Sequence, residues 1–195
     1  KKVVTDESER FDPFTAEQVS SIFQFMDNTH IVEYPHYTRT MPANPFLALV
    51  ARTIFYSFLR SSEIRRLKIK HVKRYKQGFI DLGVDITKNK KKVFNELFID
   101  RVLVECYSKL GWEKYFQDPT YDNYYVFTPD LIPSLKKTNT YRFSKSFATV
   151  LEKMVERKLI KLTGKFSLYS LKHSGNIDAY RSGFTIQQLQ LQNRH

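Results

Sequence analysis

The 195-residue sequence predicts a mainly α-helical domain carrying a small three-stranded antiparallel β-sheet. Two helical stripes and one change of period carry that prediction. Apolar residues recur at helical spacing from Leu47 to Phe58 and again from Phe143 to Val155, while the period between them falls to two over Ile80, Leu82, Val84 and Ile86. A hydrophobic content of 42% supplies one full core, and no internal repeat divides the chain. Residues 1–10 are polar and read as a tail or linker end; residues 11–195 read as a single domain.

The elements follow in order. Thr15-Ala16-Glu17-Gln18 has capping-box spacing, and Val19, Ile22, Phe23 and Met26 continue it as a helical stripe. His30 to Ala43, rich in Pro, His and Thr, reads as loop. Asn44-Pro45 then supplies a cap and a first helical residue for the most regular stripe in the chain, Leu47, Val50, Ala51, Ile54, Phe55 and Phe58. Such a helix belongs at the centre of the core. The period-two segment pairs with Val93, Leu97 and Ile99 as a β-hairpin whose tip is Thr87-Lys88-Asn89-Lys90-Lys91. Asp100 caps a helix that buries Leu103, Cys106, Tyr107 and Leu110 and ends at Gly111. Tyr124-Tyr125-Val126-Phe127 is the expected third strand. A long helix follows with Phe143, Phe147, Val150, Leu151, Met154 and Val155 inside, and two shorter ones follow Ser170 and Thr185.

Charge narrows the function. With 32 Lys and Arg against 20 Asp and Glu, the chain carries +12 and no low-complexity basic tail, so polyanions are its natural partners. Charge alone does not separate DNA, RNA and anionic lipid. No apolar run approaches the roughly 18 residues of a membrane span, and the N-terminal residues lack the apolar core of a signal peptide. The expectation is a soluble, cytoplasmic protein. A single cysteine, Cys106, excludes an internal disulfide and thiolate metal sites. The histidines show no zinc-ligand spacing and the glycines form no nucleotide-binding loop, so no metal and no cofactor are expected. The aromatic residues from Tyr107 to Phe127 read as core or strand-edge residues before base-stacking ones.

Three stretches carry candidate chemistry: Phe58-Leu59-Arg60-Ser61-Ser62-Glu63-Ile64, Tyr169-Ser170-Leu171-Lys172-His173, and Asn193-Arg194-His195. Ser62 as an N-cap would set Arg60 in a tight turn between two helices, where a guanidinium clamps a phosphate bidentately. Ser170 as an N-cap would place Lys172 and His173 in a helix's first turn with Tyr169 just outside. Read singly, Arg60 is an ordinary surface arginine, Tyr169 and His173 pack on the core and Lys172 is solvated.

Taken in order, these stretches resemble the catalytic domain of tyrosine recombinases, the phage-integrase family. That family's first box typically reads Gly-Leu-Arg-x-Ser-Glu-Leu, matched by Leu59-Arg60-Ser61-Ser62-Glu63-Ile64, which makes Arg60 the catalytic arginine. Its active-site lysine sits at a hairpin tip, where Lys88 matches best and Lys90, Lys91 and Lys92 are assigned, with His173, to DNA contact. The second box, commonly His-x-Leu-Arg-His, corresponds to Tyr169-Ser170-Leu171-Lys172-His173, with Tyr169 replacing histidine and Lys172 replacing arginine. Tyrosine donates to a phosphate oxygen but is a poor proton shuttle near neutral pH, and lysine keeps the charge while losing the fork. Gln192-Asn193-Arg194-His195 stands where the family has a turn bearing its late histidine, His195.

The resemblance implies site-specific recombination or integration of double-stranded DNA, in a bacterial, phage or mobile-element context, by tetramers on paired sites. Strand cleavage would be metal-free: a tyrosine attacks the phosphodiester, forming a 3′-phosphotyrosyl link and releasing a 5′-hydroxyl. Arg60, Tyr169, Lys172 and His195 would stabilise the transition state, and Lys88 would protonate the leaving oxygen. The nucleophilic tyrosine is expected a short way beyond His195, so the catalytic domain reads as incomplete at its C-terminal end and this fragment as inactive alone. The rival readings are a catalytically impaired DNA-binding protein with the same fold, and an unrelated basic helical domain in which Arg60, Lys172 and His195 lie far apart.

Overall fold

The computed structural model describes residues 11–28, 30–34, 37–41, 45–82, 86, 96–99, 101–130 and 132–193. Helix α1 (Ala16–Asp27) starts as its sequence dictates: the Gln18 backbone N–H donates to Thr15 Oγ1 at 3.2 Å, and Gln18 Oε1 accepts the Thr15 N–H at 2.9 Å. Its Val19, Ile22, Phe23 and Met26 are buried, as expected, together with Phe25. Two strands follow where a loop was expected. β1 (His30–Tyr34) and β2 (Tyr37–Met41) pair antiparallel with His30 opposite Met41. Ile31, Val32, Tyr34, Tyr37, Thr38 and Thr40 are strand formers, a preference the Pro and His content of the segment obscured.

Helix α2 (Pro45–Ser57) is the central element. Residues Phe46 to Ala51, Ile54 and Phe55 are all buried, so the helix is enclosed on all sides instead of presenting one stripe. Its end is unusual for the residue that makes it: Phe58 has φ 55, a left-handed conformation that costs a non-glycine residue roughly 1–2 kcal/mol. Burial of Phe58 and Leu59 (4% and 0% exposed) holds the turn in place. The chain leaves it in α3 (Ser61–Ile64) and α4 (Ile69–Val72).

The hairpin forms at its base. β3 (Phe79–Asp81) pairs antiparallel with β4 (Glu96–Phe98), Ile80 opposite Leu97, and Gly78 enters it at φ 83. Its tip, with Lys88, Lys90, Lys91 and Lys92, lies outside the described residues. The expected three-stranded sheet does not form among the described residues. Tyr125 instead makes single bridges to Lys68 on one side and Ser134 on the other, so the aromatic segment is satisfied away from the hairpin.

Helices α5 (Arg101–Ser108) and α6 (Glu113–Gln117) close one flank. Leu103 and Tyr107 are buried as expected, while Cys106 is only half-buried against the core; burial still pushes its thiol pKa up. Asp100, the expected cap, is outside the described residues. The aromatic residues of this region serve packing: Tyr75 lies 5.7 Å from Tyr107 and 5.0 Å from Phe116 between ring centroids. Helix α7 (Thr140–Glu156) is capped by Asn139, whose Oδ1 accepts the Tyr141 N–H at 3.0 Å. It buries Phe143, Phe147, Val150, Leu151 and Met154; Val155, expected inside, lies one step past the stripe and is 45% exposed. Helices α8 (Ser170–Arg181) and α9 (Ile186–Asn193) complete the described chain, α9 opening on a reciprocal Thr185–Gln188 cap. Among the described residues, no helix is long and apolar enough to cross a membrane.

Candidate active site

Arg60 occupies the turn between α2 and α3, as its sequence context predicts, but the cap differs. Arg60 itself, not Ser62, is the N-cap residue, with φ −76 and ψ 151. The capping oxygen comes from Glu63. Its carboxylate accepts the Arg60 backbone N–H at 2.8 Å and lies 3.5 Å from Arg60 Nη1. Glu63 is fully buried, whereas 28% of the Arg60 side chain is exposed. The contact is long for an ion pair, so the guanidinium is steered toward the surface without being consumed. Glu63 belongs to the motif but was not singled out as a site residue; its position three residues after the turn is the signal that identifies it.

The second stretch enters α8. Here too the expected cap shifts: Tyr169 is the cap-position residue, and Ser170 Oγ accepts the Ser167 N–H at 3.1 Å while Ser167 Oγ accepts the Tyr169 N–H at 3.1 Å. Lys172 and His173 do fall in the first helical turn. Lys172 is 4% exposed, so its side chain is buried and not solvated. Tyr169 and His173 stack edge to face, ring centroids 4.9 Å apart at 85°.

Burial, and secondarily the neighbouring Lys172 charge, hold the His173 pKa below its ordinary value. The neutral imidazole is therefore favoured in the folded state. Its contribution to stability is complete above the unfolded value of about 6.5 and is lost as pH falls from there through the depressed folded value. Between pH 7.5 and pH 5.5, urea midpoints of the wild type are expected to fall further than those of His173→Asn; equal falls would show that His173 carries no such linkage.

Packing joins the elements that bear the stretches. Gly175, one turn beyond Lys172, lies against the last turn of α2: a Cβ added there would sit 2.0 Å from the Phe55 carbonyl oxygen. A cleft beside this contact is lined by Phe55, Tyr56 and Phe58 from the end of α2, Gly175 and Asp178 from α8 and Gln192 from α9. Asn176 Nδ2 donates to the Lys172 carbonyl at 2.8 Å, and its Oδ1 accepts from Asn193 Nδ2, which latches α9 onto α8. Gln192 and Asn193 are thus helical and buried where a turn was expected. Arg194 and His195 are outside the described residues, as is Lys88. Gly175 and Asn176 had no signal in the sequence beyond being a small and a polar residue on a helix, and Asn193 was expected in a turn.

Comparison with solved structures gives the fold its class. The chain aligns with XerA recombinase at a TM-score of 0.66 and 13% identity, covering 96% of this chain and 56% of that one. It aligns with the Tn1549 transposon integrase in complex with circular intermediate DNA at a TM-score of 0.65 and 13% identity, over 98% of this chain and 60% of that one. A variant of that integrase in complex with transposon right end DNA gives 0.67 and 14%, with the same coverages of 98% and 60%. The fold is that of a tyrosine recombinase catalytic domain. The chain spans between 56% and 60% of the length of these structures. No family model matches the chain, and no curated protein matches it in sequence.

Proposed function

We propose that the chain is the catalytic region of a site-specific DNA recombinase or integrase, acting on double-stranded DNA as a tetramer of protomers on paired sites. The observation that carries this reading is the placement of Arg60, oriented by buried Glu63, at the end of the helix against which the Lys172-bearing turn of α8 is packed. The fold of XerA recombinase and of the DNA-bound Tn1549 integrase supports it. So does the net charge of +12.

In the reaction a tyrosine hydroxyl attacks the scissile phosphorus. The bond to the 5′ oxygen breaks as the phosphotyrosyl bond forms, the phenolic proton passes to solvent water, and the leaving oxygen takes a proton from Lys88. Arg60, Lys172 and His195 offset the charge gathered on the non-bridging oxygens, with Tyr169 as a neutral donor. Lys90, Lys91, Lys92 and His173 hold the flanking duplex. Because one bond energy replaces another, no nucleotide cofactor is consumed.

The test is covalent trapping. Incubated with a nicked suicide duplex, the full-length protein is expected to form a protein–DNA adduct that survives denaturation. Duplex binding with no adduct would instead assign a DNA-binding protein that keeps the recombinase fold without its chemistry.

A further inference from the structure

A second basic surface lies outside the candidate active site, and its assembly follows from the backbone. The Val126 N–H donates to Leu67 O and the Ile69 N–H to Tyr124 O, both at 2.9 Å, while the Tyr125 N–H donates to Ser134 O at 2.8 Å. Three segments distant in sequence are thereby laid side by side, with Tyr125 in the middle. Lys68 Nζ is 5.6 Å from the centre of the Tyr125 ring and Lys137 Nζ is 5.8 Å from it. Arg65 and Arg66 lead directly into Lys68 from the end of α3.

Several nearby cations are neutralised by acidic partners, such as Lys73 with Asp122, Arg74 with Asp81 and Lys136 with Asp130. No carboxylate among the described residues comes within ion-pair distance of Arg65, Lys68 or Lys137. Lys68 has only the neutral Asn123 amide oxygen, at 3.4 Å, and the Tyr125 ring. The charges act on one another: burial first, then Arg65, Arg66 and Lys68, hold the Lys137 pKa below the usual lysine value. A mutually repelling group around an aromatic face is relieved by an external anion.

We propose that Arg65, Lys68 and Lys137, set around Tyr125, form a second phosphate-gripping surface for duplex DNA, outside the reacting phosphate's pocket. The proposal rests on the DNA reading of the chain. A duplex suits the surface better than a small anion, because the cations are spread over separate segments and partly exposed, and duplex DNA presents a charge every ~1.7 Å of its axis. Arg65 also follows Arg60 by only the length of α3, about 7 Å of helical rise, so both fall along one stretch of the same backbone.

The experiment compares the full-length protein with its Lys68→Gln/Lys137→Gln variant in duplex binding as salt is raised from about 50 to 200 mM. Loss of two phosphate contacts lowers the slope of log affinity against log salt by about 2 and weakens binding roughly tenfold at the low-salt end. In parallel, Lys68 and Lys137 of the wild type are acetylated with and without duplex, and both are expected to be protected by DNA. An unchanged slope in a folded variant, or absent protection, overturns the surface. Should the variant fail to fold, the protection result decides alone. Protection by duplex RNA in place of DNA overturns it as well. Covalent trapping with wild-type salt dependence in the variant would leave the recombinase reading standing and this one refuted, whereas absence of any duplex binding removes both.

Discussion

Replacing Arg60 with alanine is expected to slow strand cleavage by the full-length protein on the order of 100-fold or more while leaving duplex affinity within severalfold of wild type. The structure separates the two effects. Glu63 accepts the Arg60 backbone N–H, a bond that does not involve the side chain, so the α2–α3 turn keeps its cap in the variant. What is removed is a guanidinium that is 28% exposed and held by one long contact of 3.5 Å. That group is placed to meet charge that develops on the phosphate, which is why rate falls more than binding. Arg60→Lys distinguishes charge from geometry: it retains the cation without the bidentate fork, so its rate falls between the two. Glu63→Gln should keep much of the cap yet loosen the guanidinium, with a smaller loss of rate than Arg60→Ala. Single-turnover formation of the covalent adduct on a nicked duplex reads all of these. Undiminished cleavage by Arg60→Ala would sink the assignment of this arginine.

The elements most plainly written in the sequence are those whose local rules agree with their final packing. α1 and α7 have a cap, a stripe and a core beneath the stripe, and both lie where the pattern puts them. α2 was legible for the same reason, although its burial on all sides exceeds what its stripe alone announces. The misreadings have separate causes. His30 to Met41 carries strand-forming residues interrupted by Pro and His, and composition prevailed over the pairing that decides a hairpin. Tyr124–Phe127 forms no strand; Tyr125 alone makes single bridges, and their partners, Lys68 and Ser134, are chosen by tertiary position, which no local pattern encodes. At the site, the turn that holds Arg60 was legible from its place between two helical segments, but its capping oxygen comes from Glu63 and not Ser62. The burial of Lys172 and the latch from Asn176 to Asn193 depend on how α8 meets α2 and α9, a matter of packing.

That packing gives the other large expected effect. Gly175→Ala should destabilise the protein by about 3 kcal/mol, read as a fall in the urea midpoint without a change in slope. On helix propensity alone the substitution would stabilise α8, since alanine is favoured over glycine by about 1 kcal/mol. Contact reverses the sign. The new Cβ would lie 2.0 Å from the Phe55 carbonyl oxygen, 2.9 Å from its carbon and 3.2 Å from its Cα, all backbone atoms of a fully enclosed helix. A flexible side chain could swing aside; a backbone held on every side by buried residues cannot. The helices must therefore separate by an ångström or so, and the motion is passed to Lys172 and His173 one turn away on the same rigid element. Cleavage by the full-length protein should fall along with stability, and it should not recover at temperatures where the variant is fully folded, because misplacement by such a distance costs on the order of 100-fold in rate. A Gly175→Ala protein as stable as wild type would mean that α2 and α8 do not meet at this glycine, and would remove the contact by which α2 positions the Lys172-bearing helix.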